Sequence, residues 1–297
     1  MSLGRTAAAT AALIGATAIW GSTFVVTKRS LAEMAPPLFL AWRFGLAAAV
    51  LLVVRPRSLR RLSARDRWHG LVLGVLLSAG FLLQTFGLEH TSAGLSGFLT
   101  GTAVIMTPVV AAVVFGERVG AAGWGAVLLA AVGVVLLAGG GDLHITPGAL
   151  LTVGGALCFA GHISGLSQWA TAANAYPLTA WSVTVAAAGC WCAVSIGSGP
   201  ALPPTPAAWT SVLYLALGAT CLGFVIQAWA QSALTAAAAA VVMTMEPVFA
   251  ALLGVMSGEA MLPVMWAGGV LIVSSMLVAE LGPRRCCDVL SPRVECC

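Results

Sequence analysis

Charged residues are scarce in this chain of 297 residues, because Asp, Glu, Lys and Arg make up 8% of it while 60% is hydrophobic. A soluble globular domain has roughly 25% charged residues, so a chain this apolar could not cover its own surface in water. The hydrophobicity also excludes a disordered chain, since apolar residues drive collapse. With a mean hydropathy of +0.99, the chain is expected to be solvated by lipid and to lack a large water-soluble domain.

The residues of common catalytic and metal sites are also sparse. Four histidines are scattered along the chain, and neither the HExxH nor the GxSxG pattern occurs. Four of the eight cysteines form adjacent pairs near the C-terminus, which lack the CxxC spacing of a zinc site. Six of the 14 basic residues lie at 55–67 rather than along a nucleic-acid-binding surface. We therefore expect no enzyme activity, metal, cofactor or nucleic-acid partner.

Long apolar runs are what the chain does contain. A helix needs about 20 residues to cross a hydrocarbon core of about 30 Å. The runs are continuous, which favours helices over the alternating strands of a barrel. The sequence predicts an all-α integral membrane protein with ten spans, at approximately 8–27, 37–54, 69–88, 93–115, 121–138, 147–169, 176–196, 208–229, 235–256 and 261–281.

The distribution of Lys and Arg predicts the orientation. With the N-terminus inside, eleven basic residues lie on the cytoplasmic side, and only Lys28 and Arg29 lie on the other. Cytoplasmic loops carry an excess of positive charge. Both termini are therefore expected in the cytoplasm of a bacterial cell, with the spans in its inner membrane.

Similar residues recur at an offset of 139 or 142, which predicts an internal repeat. The first half is expected at 1–140, the second at 141–283, and a tail at 284–297. Five spans per half is an odd number, so the two halves would enter the membrane in opposite directions. The recurring pairs are Ala41-Trp42 with Ala180-Trp181, Pro108 with Pro247, Glu117 with Glu259, and Trp124 with Trp266.

Several motifs, taken in order, resemble the EamA-type branch of the drug/metabolite transporter superfamily over about residues 8–281. The resemblance implies ten transmembrane helices in two inverted five-helix repeats. It also implies export or import of small metabolites, and its YddG-like members export aromatic and other amino acids. The motifs are Ile19-Trp20-Gly21-Ser22-Thr23-Phe24, Pro36-Pro37 with Arg43, Pro108 with Gly116-Glu117, and Glu246-Pro247 with Gly258-Glu259.

Polar and aromatic side chains inside the spans are the candidates for a substrate cavity, because ionisable groups in a bilayer usually face a bundle interior or a watery cavity. Pro108 and Pro247 are candidates for helix kinks. The cavity candidates are Trp20, Thr23, Arg43, Gln84, Met106, His162, Ser164, Trp181, Gln227, Met243 and Glu246.

The two charged candidates each have two interpretations. Arg43 would bind a substrate carboxylate, or it would form a structural ion pair, for which Glu89 is one partner. Glu246 would be a proton or substrate site, or a neutral acid bonded to a backbone group that Pro247 frees. Glu117 and Glu259 precede the next helix and are expected to stabilise helix N-termini.

The uncharged candidates also have a packing interpretation. His162 would be a ligand or proton carrier, or a hydrogen-bonded packing residue. Trp20 and Trp181 would line a cavity for planar substrates or fill space between helices. Small residues such as Gly15 and Gly21 allow close helix packing.

The main hypothesis is a secondary transporter that moves small neutral or zwitterionic metabolites by alternating access, as a monomer or homodimer. Few fixed charges are available to neutralise a multiply charged cargo, so amino acids, including aromatic ones, fit. Proton coupling is a further expectation. The alternative is a facilitative carrier or channel-like pore for nucleobases or drug-like compounds.

Overall fold

The computed structural model describes residues 3–116, 121–139, 146–171, 174–197, 199, 201–233 and 242–281. Glu117, the boundary at 140–141 and the tail at 284–297 lie outside these residues. In the described residues all regular secondary structure is helical. The helices are α1 (Leu3–Ser30), α2 (Pro36–Val54), α3 (Ala64–Glu89), α4 (Ala93–Phe115), α5 (Ala121–Gly139), α6 (Pro147–Trp169), α7 (Ala175–Ile196), α8 (Pro206–Leu213), α9 (Gly223–Ala233), α10 (Met245–Met256) and α11 (Pro263–Leu281).

Six helical segments in the described residues are long and apolar enough to cross a membrane, and the bent α4 would make seven. Three shorter apolar helices, Trp124–Leu136, Met245–Met256 and Pro263–Val278, lie within the predicted fifth, ninth and tenth spans. A π-helical segment, Tyr214–Leu222, joins α8 to α9 without a break. The described residues therefore support an all-helical membrane protein, and they do not by themselves establish ten crossings.

The helix ends form two groups. At one end, here called end A, the side chain of Lys28 at the end of α1 contacts the turn between α3 and α4. Gly148 at the start of α6 packs against Gly87 and His90 near the end of α3. At the opposite end, end B, Trp169 at the end of α6 stacks on His69 near the start of α3. Consequently α1 runs towards end A, whereas α6 runs away from it.

Helix starts follow from Ser, Thr and Pro in the sequence. Ser63 and Asp66 form a reciprocal capping box at the start of α3, which satisfies N–H groups that lack a partner within the helix. Thr146 and Thr205 accept hydrogen bonds at the starts of α6 and α8. Each is followed by proline, whose fixed φ and missing N–H suit the first helical position.

Close packing between helices depends on glycine. A Cβ atom at Gly21 of α1 would lie 2.6 Å from Phe249 Cβ and 2.9 Å from the Ala250 backbone nitrogen of α10. Gly97 of α4 faces Ala250 from another side. By contrast, a Cβ at Gly15 would meet nothing within 4 Å among the described atoms. Small residues allow transmembrane backbones to approach closely, so Gly21 fulfils the packing role predicted from the sequence and Gly15 does not.

Two charged side chains from distant parts of the chain clamp the turn between α3 and α4. Lys28 Nζ donates to the carbonyls of Leu88, Glu89 and Thr91 at 2.6, 3.0 and 2.8 Å. Glu259 accepts from the backbone N–H groups of Ala93 and Gly94 at 2.6 and 3.0 Å. A cation thus lies at the C-terminus of α3 and an anion at the N-terminus of α4, where each is favoured by the helix dipole. Glu259 stabilises a helix start as predicted, but that of α4 rather than the following helix.

We expect Gly21→Ala to destabilise the protein and Gly15→Ala to leave its stability unchanged or slightly raised. The Gly21 methyl group would overlap α10, and overpacking costs about 1–3 kcal/mol, whereas alanine at an unobstructed helical position is favourable. The measurement is the thermal unfolding midpoint of each purified variant in detergent. Equal midpoints for the two variants would show that α1 does not pack on α10 as described.

We expect Glu259→Gln to lower the thermal midpoint, because one of the two acceptor oxygens becomes an amide donor and the negative charge is lost. Loss of a helix cap costs about 1–2 kcal/mol. Glu89→Gln is the matched control, since Glu89 is exposed and its side chain makes no hydrogen bond to a described residue. Faster amide hydrogen exchange at Ala93 and Gly94 in Glu259→Gln alone would locate the effect, and unchanged exchange there would contradict the capping role.

Candidate functional site

The π-helical segment Tyr214–Leu222 lies beside α1 and α2 and forms hydrogen bonds with side chains of both helices. Its wider turn places the Thr220 hydroxyl where it donates to the Leu215 carbonyl, five residues earlier, at 3.0 Å. Ser22 of α1 shares a 2.7 Å hydrogen bond with the Tyr214 hydroxyl. π-helical turns interrupt α-helices frequently at functional sites.

Trp20 and Arg43 contact consecutive residues of this segment. The Trp20 indole N–H donates to the Ala219 carbonyl at 2.9 Å, and Arg43 Nε donates to Thr220 Oγ1 at 3.2 Å. Trp20 is 8% exposed and Arg43 is 4% exposed. Two candidates that are 23 positions apart in the sequence are therefore brought to one place by the fold.

Arg43 has aromatic neighbours instead of a carboxylate. Its guanidinium carbon lies 4.7 Å from the centre of the Phe81 ring and 5.4 Å from that of Phe44. Both distances are within the range of a cation–π interaction. No ion pair joins Arg43 to Glu89, which lies at end A, or to any other acid among the described residues. The pairing with Glu89 suggested by the sequence is therefore wrong.

Gln227, Met243 and Glu246 lie close to α1. Gln227 Nε2 lies 3.9 Å from Met243 Sδ, and Met243 packs against the hydrophobic cluster that contains Trp20. Gly21, the residue after Trp20, faces the carbonyl of Glu246. Trp20 and Gly21 therefore connect α1 to the π-helical segment and to the start of α10, respectively.

Glu246 and Pro247 lie in the first turn of α10. Proline is tolerated there, since the N–H groups of the first turn have no partner within the helix. The sequence predicts a helix kink at Pro247. In the structure α10 begins two residues before Pro247, after a turn at Thr244 that follows the helical residues Val242 and Met243. The Glu246 side chain is half-buried, and the positive end of the α10 dipole favours a carboxylate at this position.

The fourth helix bends by 43° between Ala93–Thr107 and Val109–Phe115, on either side of Pro108. Ser164 of α6 donates to the Thr107 carbonyl at 3.1 Å, at the bend. Closer to the start of α4, the Thr100 hydroxyl accepts a hydrogen bond from the Gln84 amide at 2.9 Å. These contacts hold α3, α4 and α6 together, and Met106 lies half-buried two residues before Pro108.

Three candidates are bonded to the backbone. His162 Nδ1 lies 3.0 Å from the Leu73 carbonyl, which joins α6 to α3 as the packing interpretation predicts. Trp181 donates to the Arg67 carbonyl at 2.9 Å and therefore lies at end B, away from Trp20. Thr23 donates to the Trp20 carbonyl of its own helix at 2.7 Å.

The fold thus groups Trp20, Arg43, Gln227, Met243 and Glu246 around α1, and it places Trp181 elsewhere. No group of three His, Cys, Asp or Glu side chains that could hold a metal occurs in the described residues.

Sequence reasoning missed Thr220, Phe81 and Phe159. Phe81 lies 4.9 Å from Phe159, ring centre to ring centre. A threonine or phenylalanine in an apolar run gives no local signal of such contacts.

Comparison with known proteins agrees with this architecture. The model of the EamA-like transporter family matches the chain twice, at residues 7–139 and 146–280. An uncharacterised transporter of Archaeoglobus fulgidus is 31% identical over 271 residues, which cover 89% of this chain and 82% of that protein.

Other relatives match a shorter part of the chain. The uncharacterised transporter YyaM of Bacillus subtilis is 26% identical over 51% of each chain. The WAT1-related protein At3g02690 of Arabidopsis thaliana, described as chloroplastic, is 32% identical over 40% of this chain and 29% of that protein.

A solved structure has the same fold, with a TM-score of 0.65 at 21% sequence identity, over 93% of this chain and 97% of that one. The two family matches together span most of the chain, and the named relatives from Archaeoglobus and Bacillus are transporters. The chain therefore belongs to the EamA-like transporter family and is a multi-pass membrane transporter rather than an enzyme.

Proposed function

We propose that this protein is a secondary transporter that exports small neutral or zwitterionic metabolites, amino acids among them, across the bacterial inner membrane. The proposal includes ten transmembrane helices in two inverted five-helix repeats, with both termini in the cytoplasm. The opposite directions of α1 and α6, which begin the two family matches, support this arrangement. Inverted repeats allow one half to rock against the other around a site near the midplane.

The observation that carries the substrate class is the scarcity of charge around Trp20 and Gly21, in the interior of α1. Arg43 and Glu246 are the charged candidates there, and the remaining side chains named around this helix are Trp20, Gln227 and Met243. One cation and one acid leave little capacity to neutralise a multiply charged cargo in a low dielectric. Aromatic and thioether groups suit the apolar part of an amino acid.

Proteoliposomes test the transport activity. We expect saturable uptake of radiolabelled L-phenylalanine and other neutral amino acids, accelerated by unlabelled substrate on the opposite side of the membrane. Counterflow acceleration distinguishes a carrier from a channel-like pore. Uptake no higher than in empty liposomes, over a panel of amino acids and nucleobases, would refute the proposal. Uptake of nucleobases alone would refute its amino-acid part.

Proton coupling through Glu246 is part of the same proposal. Its support is a half-buried carboxylate in the first turn of α10, beside the closely packed Gly21. A carboxylate at such a position binds and releases a proton as the surroundings change between two conformations, and an amide does not. The carboxylate also makes no hydrogen bond to a described residue.

We expect Glu246→Gln to abolish stimulation of transport by an imposed pH gradient while counterflow exchange continues. Glu246→Asp should retain part of the stimulation, and Glu89→Gln, which changes an exposed acid at end A, should behave as the wild type. The measurement is initial uptake with and without the gradient. Full gradient-driven uptake by Glu246→Gln would show that another group carries the proton.

A further inference from the structure

Arg43 is a buried cation whose charge is not neutralised by the described part of the protein. It is the eighth residue of α2, roughly 10 Å along the helix axis from the first residue. It is 4% exposed, and no described carboxylate lies within ion-pair distance of it. A charged side chain inside a membrane protein normally pairs with another charge or lines a pathway. Arg43 has no such charged partner among the described residues.

The hydrogen-bonding capacity of the guanidinium is also largely unused. Its one hydrogen bond runs from Nε to Thr220, and no described residue accepts from the two terminal Nη groups. The polar side-chain atoms that are sealed from solvent without a partner, within the described residues, belong to Ser58, His69 and Ser96. The Nη groups of Arg43 are not among them.

The two Nη groups lie along an edge of the guanidinium that makes no hydrogen bond to a described residue. Arg43 lies over the Phe81 ring at 4.7 Å, and the N–H groups of a guanidinium point outward in its own plane. A carboxylate binds to that edge through two parallel hydrogen bonds, while the aromatic contact on the face is kept. Thr220 holds Nε, and the Thr220 hydroxyl is itself fixed by the Leu215 carbonyl. The rotation of the guanidinium is thereby restricted.

Aromatic rings extend from Arg43 into the bundle. Phe81 lies 5.0 Å from Phe44 and 4.9 Å from Phe159 of α6, both in edge-to-face geometry. Phe44 is fully buried, whereas Phe81 and Phe159 are half-buried. Phe81 and Phe159 are therefore two partly exposed aromatic rings next to Arg43.

We propose that Arg43 binds the carboxylate of the transported substrate and that Phe81 and Phe159 contact its side chain. This inference rests on the proposed function and assigns the residues that bind the carboxylate and the side chain of the substrate. Thr220 is a positioning residue, since it contacts Arg43 rather than the substrate.

The test compares L-phenylalanine with L-phenylalaninamide, which has the same side chain and no carboxylate, in wild-type proteoliposomes. We expect a half-saturating concentration about 10- to 100-fold lower for phenylalanine, the effect of a charge-assisted hydrogen-bonded pair. This comparison needs no variant and is independent of folding. Equal values for the two compounds, or transport of neither, would overturn the inference, whereas no uptake over the whole panel of amino acids and nucleobases would refute the proposed function itself.

Variants then assign the preference to Arg43. In Arg43→Gln the ratio between the two compounds should fall towards one, and Arg43→Lys should give an intermediate ratio, because it keeps the charge and loses the planar fork. Thr220→Val, which keeps the shape and removes the hydroxyl, should reduce the ratio several-fold. Glu89→Gln is the control and should retain the wild-type ratio. A wild-type ratio in Arg43→Gln would show that Arg43 is structural and overturn the inference.

Discussion

The cost of placing an unpaired polar group in hydrocarbon governs the contacts between helices in this protein. Each such group loses several kcal/mol of hydration unless a protein partner replaces it. Trp20, Gln84, His162 and Ser164 each form a hydrogen bond to a group on another helix. The side chains that sequence inspection marks as candidates for a cavity are thus, in most cases, also the ones that join the helices.

The first helix connects the two halves of the chain at several heights. Leu13 packs with Ala230 of α9, Trp20 binds the π-helical segment and the adjacent Gly21 packs against α10. Lys28 holds the turn between α3 and α4 within the first half. A movement of one half relative to the other therefore changes contacts along the length of α1. Because packed interfaces have discrete arrangements, such contacts favour a small number of conformations over continuous deformation.

The sequence was sufficient to predict the features that depend on composition. Apolar runs predicted the helices, the order of motifs indicated the family, and Gly21 was recognised as a packing position. The contacts of Arg43 were not predictable, because Phe81 and Thr220 have no local pattern that relates them to it. The π-helical segment was equally hidden, since its composition is that of any apolar helix. Glu259 was expected at a helix N-terminus, but which helix depends on tertiary packing.

The capping of α4 by Glu259 has a consequence for how the protein is made. Glu259 follows Gly94 by 165 residues, so α4 enters the membrane long before the acid that completes its N-terminus has been synthesised. Until the turn between α10 and α11 is in place, the first N–H groups of α4 depend on water and lipid headgroups for hydrogen bonds. The first half of the chain is therefore completed by a residue of the second half, and the two halves mature as one unit.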